Sequence, residues 1–283
     1  MIPLSRALAE EPNFSAEDVL RGVVASEDGC SGSGMVWVEA DGKGDCMRFY
    51  AGQAGSFAQP PLIYLEGDVV RQSHPPTDPP TWEVIEEYRR LSPAMMQREA
   101  DQYSAATART FIFLGRPGVY GSSGNHLERR QEREVALVEG AIGLLKKRFS
   151  WSAIDLSGLS GGGHLVAALM ARRNDIGCAV IGSGNVAVRQ RLREFGLSKD
   201  LTGYVDFLDP IDHVDAVTLH PPRKVIMLTD PKDMIVSAKS QGAYVSALRA
   251  SGVAVEHRFV SALGDPNHHY LRTPTIMAAF ACH

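Results

Sequence analysis

The chain has 283 residues, 44% of them hydrophobic and 22% charged, with a net charge of −4. That is ordinary for a globular protein able to bury a sizeable core. It offers no basic excess for nucleic acid, and no apolar run is long enough to cross a bilayer.

Residues 1–34 read as a lead-in, irregular apart from a short helix over Ala16–Leu20 with Ser15 as its N-cap. Ala7-Leu8-Ala9 resembles the end of a signal peptide but lacks the apolar region that should precede it, so extracytoplasmic and cytoplasmic locations both stay open. Met35–Glu39 and Cys46–Tyr50 are expected strands about a turn at Asp41–Asp45, forming an antiparallel hairpin. Cys30 and Cys46 flank it, and a disulfide there would contribute about 3 kcal/mol in an oxidising compartment. The four cysteines, Cys30, Cys46, Cys178 and Cys282, have no metal-ligand spacing, and Cys178 reads as a plain core residue.

Pro61–Leu65 is a compact apolar strand followed by Glu66-Gly67-Asp68. A proline-rich passage from His74 to Pro80 breaks regular structure, and helical sequence runs from Trp82 to about Ala106, split near Pro93. Thr110–Leu114 is the next strand and enters a loop at Gly115–Gly124. Glu128–Phe149 reads as an amphipathic helix with Val135, Val138, Ile142 and Leu145 on one stripe. Ser152–Ser157 is a buried strand, and Gly163–Met170 a helix. Ile176–Ile181, Lys224–Thr229 and Val253–Val260 are further strands, with helices at Ala238–Ala250 and Thr275–Ala281. Between them, Arg189 to about Ala216 is polar and helical in short pieces, broken at Asp209-Pro210. Such alternation predicts an α/β fold over residues 1–283 as a single domain, with a mostly parallel central sheet, helices on both faces and the antiparallel N-terminal hairpin. Residues 69–108 and 189–216 are the candidate cap elements.

Between the strand at 152–157 and the helix at 163–170 lies Gly158-Leu159-Ser160-Gly161-Gly162, the pattern G-x-S-x-G. A tight strand-to-helix turn holds the serine in a strained backbone conformation and presents its hydroxyl above the sheet, and flanking glycines let strand and helix approach. The alternative is a glycine-rich turn with a capping serine. A serine hydroxyl needs a base, and the base an orienting carboxylate. For a serine on such a turn these follow in the order acid, then base, each on a loop after a strand. Asp230 and Asp233 follow the strand at 224–229, either of which also suits a turn or helix cap. The loop after the last strand offers His268 and His269, with His268 preferred and His269 its rival. His164 is too close to Ser160 along the chain to be that base. Backbone N–H donors for the oxyanion are expected at Gly161 and at Gly67 or Asp68. An Asp68 side chain has to turn away from that charge.

Taken together these stretches resemble the α/β-hydrolase superfamily, most of all its prolyl-oligopeptidase and dienelactone-hydrolase-like branches. The likeness covers roughly residues 60–283 and rests on Arg116–Gly124, Gly158–Gly163, Asp209–Val214, and Asp233-Met234-Ile235-Val236 with Ser240 and Gln241 downstream. In those branches a D-x-x-V segment carries the triad acid, which implies Asp233. The frame of histidine, small residue and aromatic fits His268-His269-Tyr270, which implies His268. The resemblance departs at Glu66-Gly67-Asp68, where His-Gly-Gly is usual, and at Thr229-Asp230-Pro231, where a glycine often precedes the acid. It carries no propeller domain, so a gated oligopeptidase is not implied. What it implies is a serine hydrolase cleaving a carboxylic ester by a Ser160, His268, Asp233 triad, with Gly161 and Asp68 supplying the oxyanion hole and no metal or organic cofactor. Small peptides or amides are the alternative substrates, and a non-catalytic ligand-binding protein on the same fold is the rival of another class. Arg116 and Tyr120 are expected either to line the site or to shape their loop. The implied partner is a small-molecule ester or peptide; the sequence does not indicate an oligomeric state.

Overall fold

The computed structural model describes residues 11–53, 59–72, 81–200 and 202–282. Ala7-Leu8-Ala9, the passage from His74 to Pro80, and His283 lie outside the described residues. The chain forms two compact units, one within Met1–Ala58, Val69–Arg129 and Ala136–Ser150, the other within Gln59–Asp68, Arg130–Val135 and Trp151–His283.

In the first unit, Ser15 accepts from the N–H of Asp18 and caps helix α1 (Ala16–Arg21), as its position predicts. Strands β1 (Met35–Ala40) and β2 (Lys43–Gly52) pair antiparallel, Ala40 opposite Lys43. The turn is therefore only Asp41 and Gly42, shorter than expected, and both take positive φ, 52° and 72°. That matches the twist of a tight hairpin and lets the returning strand begin at Lys43. Cys30 and Cys46 are disulfide-bonded, with their Cα atoms 5.5 Å apart. A second, small pair, β4 (Val70–Gln72) and β5 (Trp82–Val84), replaces the start of the expected helix. Extended backbone at Ile85 (ψ 144°) then delays α2 to Glu86–Arg89. Helix α3 (Pro93–Thr107) starts where the proline predicts, capped by Ser92. Strand β6 (Phe111–Leu114) pairs antiparallel with β2.

Helix α4 (Glu132–Phe149) begins later than its apolar stripe suggests. His126–Glu128 is a separate 3-10 turn, and Arg130 takes φ 68°, which a helix does not admit.

The second unit is built on parallel strands. Strands β3 (Leu62–Leu65), β7 (Ile154–Leu159), β8 (Ile176–Gly182), β9 (Lys224–Thr229) and β10 (Val255–Phe259) lie in that order. The sheet strands of the chain are thus mostly parallel, with an antiparallel N-terminal hairpin. β3 and β7 are buried at every residue, the mark of strands covered on both faces. Helix α5 (Gly161–Met170), also buried throughout, packs where Gly158 and Ile181 point. Helix α9 (Arg272–Phe280) packs where Ser157 and Gly182 point, with Thr275 against both. Successive strand residues face opposite ways, so α5 and α9 cover opposite faces. Helix α8 (Ala238–Ala250) packs on β9 and β10, and the segment after β8 holds α6 (Val188–Glu194) and α7 (Val214–Val217).

Cys178 is not a plain core residue. It is bonded to Cys282, their Cα atoms 6.4 Å apart, tying β8 to the segment after α9. The bond closes a separation of 104 residues and on a chain-entropy basis contributes about 5 kcal/mol. A sequence separation that long carries no local signal of pairing.

Candidate active site

Parallel pairing brings the carboxyl ends of the second unit's strands to one edge. Leu65 lies opposite Gly158, Leu159 opposite Gly182, and Thr229 opposite Phe259. The residues leaving these strands are Glu66–Asp68, Ser160, Ser183–Asn185, Asp230 and the loop from Val260 to Leu271.

Ser160 sits between β7 and α5 at φ 52° and ψ −112°, a conformation that costs a non-glycine residue about 1–3 kcal/mol. Its neighbours enforce it. A Cβ on Gly158 would lie 2.4 Å from backbone of Gly162, and one on Gly162 would lie 2.0 Å from the carbonyl of Leu65. Only glycine permits the helix to start so close to the strands. The serine N–H donates to Gly182 O at 2.9 Å, and its carbonyl accepts from His164 and Asn185. Its side chain makes no capping hydrogen bond, which removes the capping-serine alternative.

The loops after β9 and β10 hold two carboxylate–imidazole pairs. Asp233 presents both oxygens to His269 Nδ1, at 3.0 and 2.9 Å, and is itself 7% exposed. It also accepts the N–H groups of Ile235 and Val236 at 2.9 and 2.8 Å and the amide of Gln241 at 3.3 Å. Gln241 in turn accepts from the Thr229 hydroxyl, so its orientation is set. Asp230 instead holds His268, Oδ2 to Nδ1 at 3.0 Å, and accepts from the N–H groups of Ala262 and Lys232 at 2.8 Å. Burial would raise the Asp230 pKa, but these donors outweigh it and hold the carboxyl below its usual range.

The structure therefore does not bring Asp233 and His268 together. His268 takes φ 53°, so the consecutive rings diverge toward different aspartates. The loop is fixed by Asp265, whose carboxylate accepts the N–H groups of Asn267, His269 and Tyr270 at 3.0, 2.8 and 2.7 Å. A further tie runs from Met234 N–H to Asn267 O at 2.9 Å. Asp265 and Gln241 thus order these two loops through hydrogen bonds that residue spacing alone does not reveal.

On the β3 side, Gly67 abuts the serine: a Cβ there would be 3.4 Å from that of Ser160. Its N–H, however, donates to Glu66 Oε1 at 2.9 Å. The Glu66 carboxylate also accepts from the Tyr64 hydroxyl at 3.0 Å and from Arg272 Nε at 2.5 Å. Gly161 is the first residue of α5. The Asp68 side chain turns to Arg130, Oδ2 to Nη1 at 2.5 Å. Arg130 also holds Asp200, Nε to Oδ2 at 2.8 Å. Burial raises the Asp200 pKa, but Arg130 and Thr202 overcome that and pull it down to about 2.

The His164 ring meets Leu208 O through Nε2 at 2.9 Å. Arg116 is fully buried, and Tyr120 is enclosed by Phe14, Tyr88 and Phe113. Asp209, in another of the family-like stretches, accepts the N–H groups of Val188 and Arg189 at the start of α6. Among the described residues no cluster of three or more His, Cys, Asp or Glu side chains could hold a metal ion.

No protein-family model matches the sequence, and no curated protein does either. Solved structures do match. The esterase Pf2001 of Pyrococcus furiosus is 13% identical, with 95% of this chain and 92% of that one covered at a TM-score of 0.58. Est1E of Butyrivibrio proteoclasticus, solved with ferulic acid bound, is 14% identical, covering 87% and 96% at 0.57. The acylaminoacyl peptidase of Pyrococcus horikoshii is 10% identical at 0.57, with 87% of this chain covered. The chain spans only 39% of that peptidase's length. These likenesses establish the fold, which is that of the α/β hydrolases.

Proposed function

We propose that the protein is a serine hydrolase that cleaves a carboxylic ester through an acyl-enzyme. Ser160 is the nucleophile, His269 the base and Asp233 the acid. The observation that carries this reading is the strained backbone of Ser160, imposed by Gly158 and Gly162, with its side chain released from capping. Strain of this size persists where function requires it.

His269 takes the place His268 holds in the family-like sequence frame. Asp233 grips His269 Nδ1 with both oxygens, which leaves Nε2 to receive the serine proton. Ser160 Oγ attacks the acyl carbonyl as His269 takes its proton. The N–H groups of Gly161 and Asp68 receive the developing oxyanion. His269 then returns the proton to the leaving oxygen, and the same base activates water to release the acid. Throughout, Asp233 holds the ring and stabilises the imidazolium. An ester is favoured over an amide because an alkoxide departs with less help than an amine. The peptidase among the fold's neighbours keeps small peptides and amides as the second reading. The two disulfides suit an oxidising compartment.

Labelling with a fluorophosphonate probe tests the reading. The wild type should label and hydrolyse short acyl esters faster than aminoacyl amides. Ser160→Ala should not label, and its kcat should fall by at least about a thousandfold. An unlabelled wild type, or a labelled Ser160→Ala, would refute it.

A further inference from the structure

The two oxygens of Asp233 are held differently. Oδ1 accepts the backbone N–H groups of Ile235 and Val236. Oδ2 accepts from no backbone; apart from His269, its donor is the side-chain amide of Gln241 at 3.3 Å. Gln241 is fully buried and also donates to Val236 O at 2.7 Å. Its Oε1 meets the hydroxyl of Thr229 at 2.8 Å, and that hydroxyl meets His257 Nε2 at 3.0 Å. Thr229, fully buried, closes β9, and His257 lies in the middle of β10, half-buried beside the Phe259 ring with 4.5 Å between centroids. An unbroken row of hydrogen bonds thus runs from the His257 ring through Thr229, Gln241 and Asp233 to the His269 ring.

The protons in this row have one arrangement. Val236 O and an ionised Asp233 carboxylate can only accept, so both face the Gln241 NH2 group and Oε1 faces Thr229. Oε1 can only accept as well, which commits the single hydroxyl proton of Thr229 to it. His257 Nε2 must then donate. A neutral ring with its proton on Nδ1 would present Nε2 as a second acceptor. It would compete for the hydroxyl proton and leave Gln241 Oε1 buried without a donor, which buried polar groups avoid. Burial, and then the charge of Arg249, disfavour the doubly protonated form of His257, so the neutral ring with its proton on Nε2 is the one that completes the row.

We infer that Thr229 and His257 are positioning residues that act through Gln241: they keep its amide turned toward Asp233 Oδ2 and so hold the carboxylate in the orientation that grips His269. Neither touches the substrate. The central sheet, through the end of β9 and the middle of β10, thereby sets the angle of the acid, which the acid loop's own backbone fixes only at Oδ1. This deepens the serine-hydrolase reading and rests on it for the effect on turnover, whereas the ring states of the two histidines are independent of it.

Two-bond proton–nitrogen correlation spectra of the full chain, with isotope-labelled histidine at mildly alkaline pH, read which ring nitrogen carries the proton. In wild type His257 should carry it on Nε2 and His269 on Nδ1, the signals being assigned by their loss in His257→Gln and His269→Ala. Thr229→Val should move His269 partly toward the Nε2–H form and lower kcat on a short acyl ester by about tenfold, with KM changed by less than about twofold. Thr229→Ser, which keeps the hydroxyl, should restore most of both. His257→Leu should lower kcat by about threefold, and His257→Gln, whose amide nitrogen can stand in for Nε2, should restore it. Thermal melts establish whether each variant is folded; should Thr229→Val not fold, the contrast between His257→Leu and His257→Gln decides. A His257 proton on Nδ1 would overturn the inference. So would folded Thr229→Val and His257→Leu variants whose His269 ring state and kcat match wild type, or a loss of kcat that Thr229→Ser and His257→Gln share, since that marks packing alone. A His269 ring that responds as expected in a protein that never hydrolyses an ester would refute the hydrolase reading and leave the positioning role standing.

Discussion

The turn after β7 and the two loops after β9 and β10 arrive at the same edge of the sheet by different physics. The turn at Ser160 is governed by repulsion. Leu65 and Gly162 leave no room for a side chain at two positions, and the backbone has one way through. The loops after β9 and β10 are governed by attraction. Two aspartates and two histidines, three residues apart and adjacent in sequence, are sorted by hydrogen bonds into separate pairs. Steric exclusion is written in the local sequence as glycine. Pairing among chemically equal partners is not, because either aspartate suits either ring until the chain is folded.

Exchange of the two histidines tests that contrast most strongly. His269→Ala should lower kcat on an ester by about a thousandfold or more, whereas His268→Ala should lower it by about tenfold or less. Steady-state kinetics on both variants checks this, and the reverse order would move the base to the Asp230 pair.

The repulsive side is tested by Gly162→Ala. Its Cβ would meet Leu65 O at 2.0 Å, and backbone cannot yield as a flexible side chain does. Chemical denaturation should show a loss of about 3 kcal/mol. Gly143→Ala in α4, where an added Cβ meets nothing within 4 Å, is the control and should be neutral or slightly stabilising. Similar losses in both would mean that the elbow is not held by steric exclusion.

The attractive side has a smaller signature in pH. Asp200, held at about 2 against its ordinary 3.8, contributes stability above its unfolded value and loses it as pH falls toward 2. At neutral pH Asp200→Asn should be less stable by about 2 kcal/mol, and its curve should meet that of the wild type near pH 2. Melting midpoints measured from pH 7 to pH 2 check it; parallel curves would show that Asp200 keeps its ordinary pKa.

Much of the architecture was legible. Apolar runs bounded by glycine and proline marked the parallel strands, and Ser15 and Pro93 marked helix starts. Trp82–Val84 was misread as helix because its strand character comes from pairing with Val70–Gln72, distant in sequence. The early boundary of α4 failed at Arg130, whose positive φ interrupts the helix and whose side chain pairs with Asp68 and Asp200, both distant in sequence.

By itself the sequence determined the strand–turn–helix at Ser160 and the aspartate- and histidine-bearing loops that follow later strands, because glycine at 158 and 162 and the strand pattern act over a few residues. Tertiary structure alone decided that Asp233 meets His269 and that Cys178 finds Cys282. Each of these depends on distances between segments far apart in the chain, which folding sets and residue spacing does not.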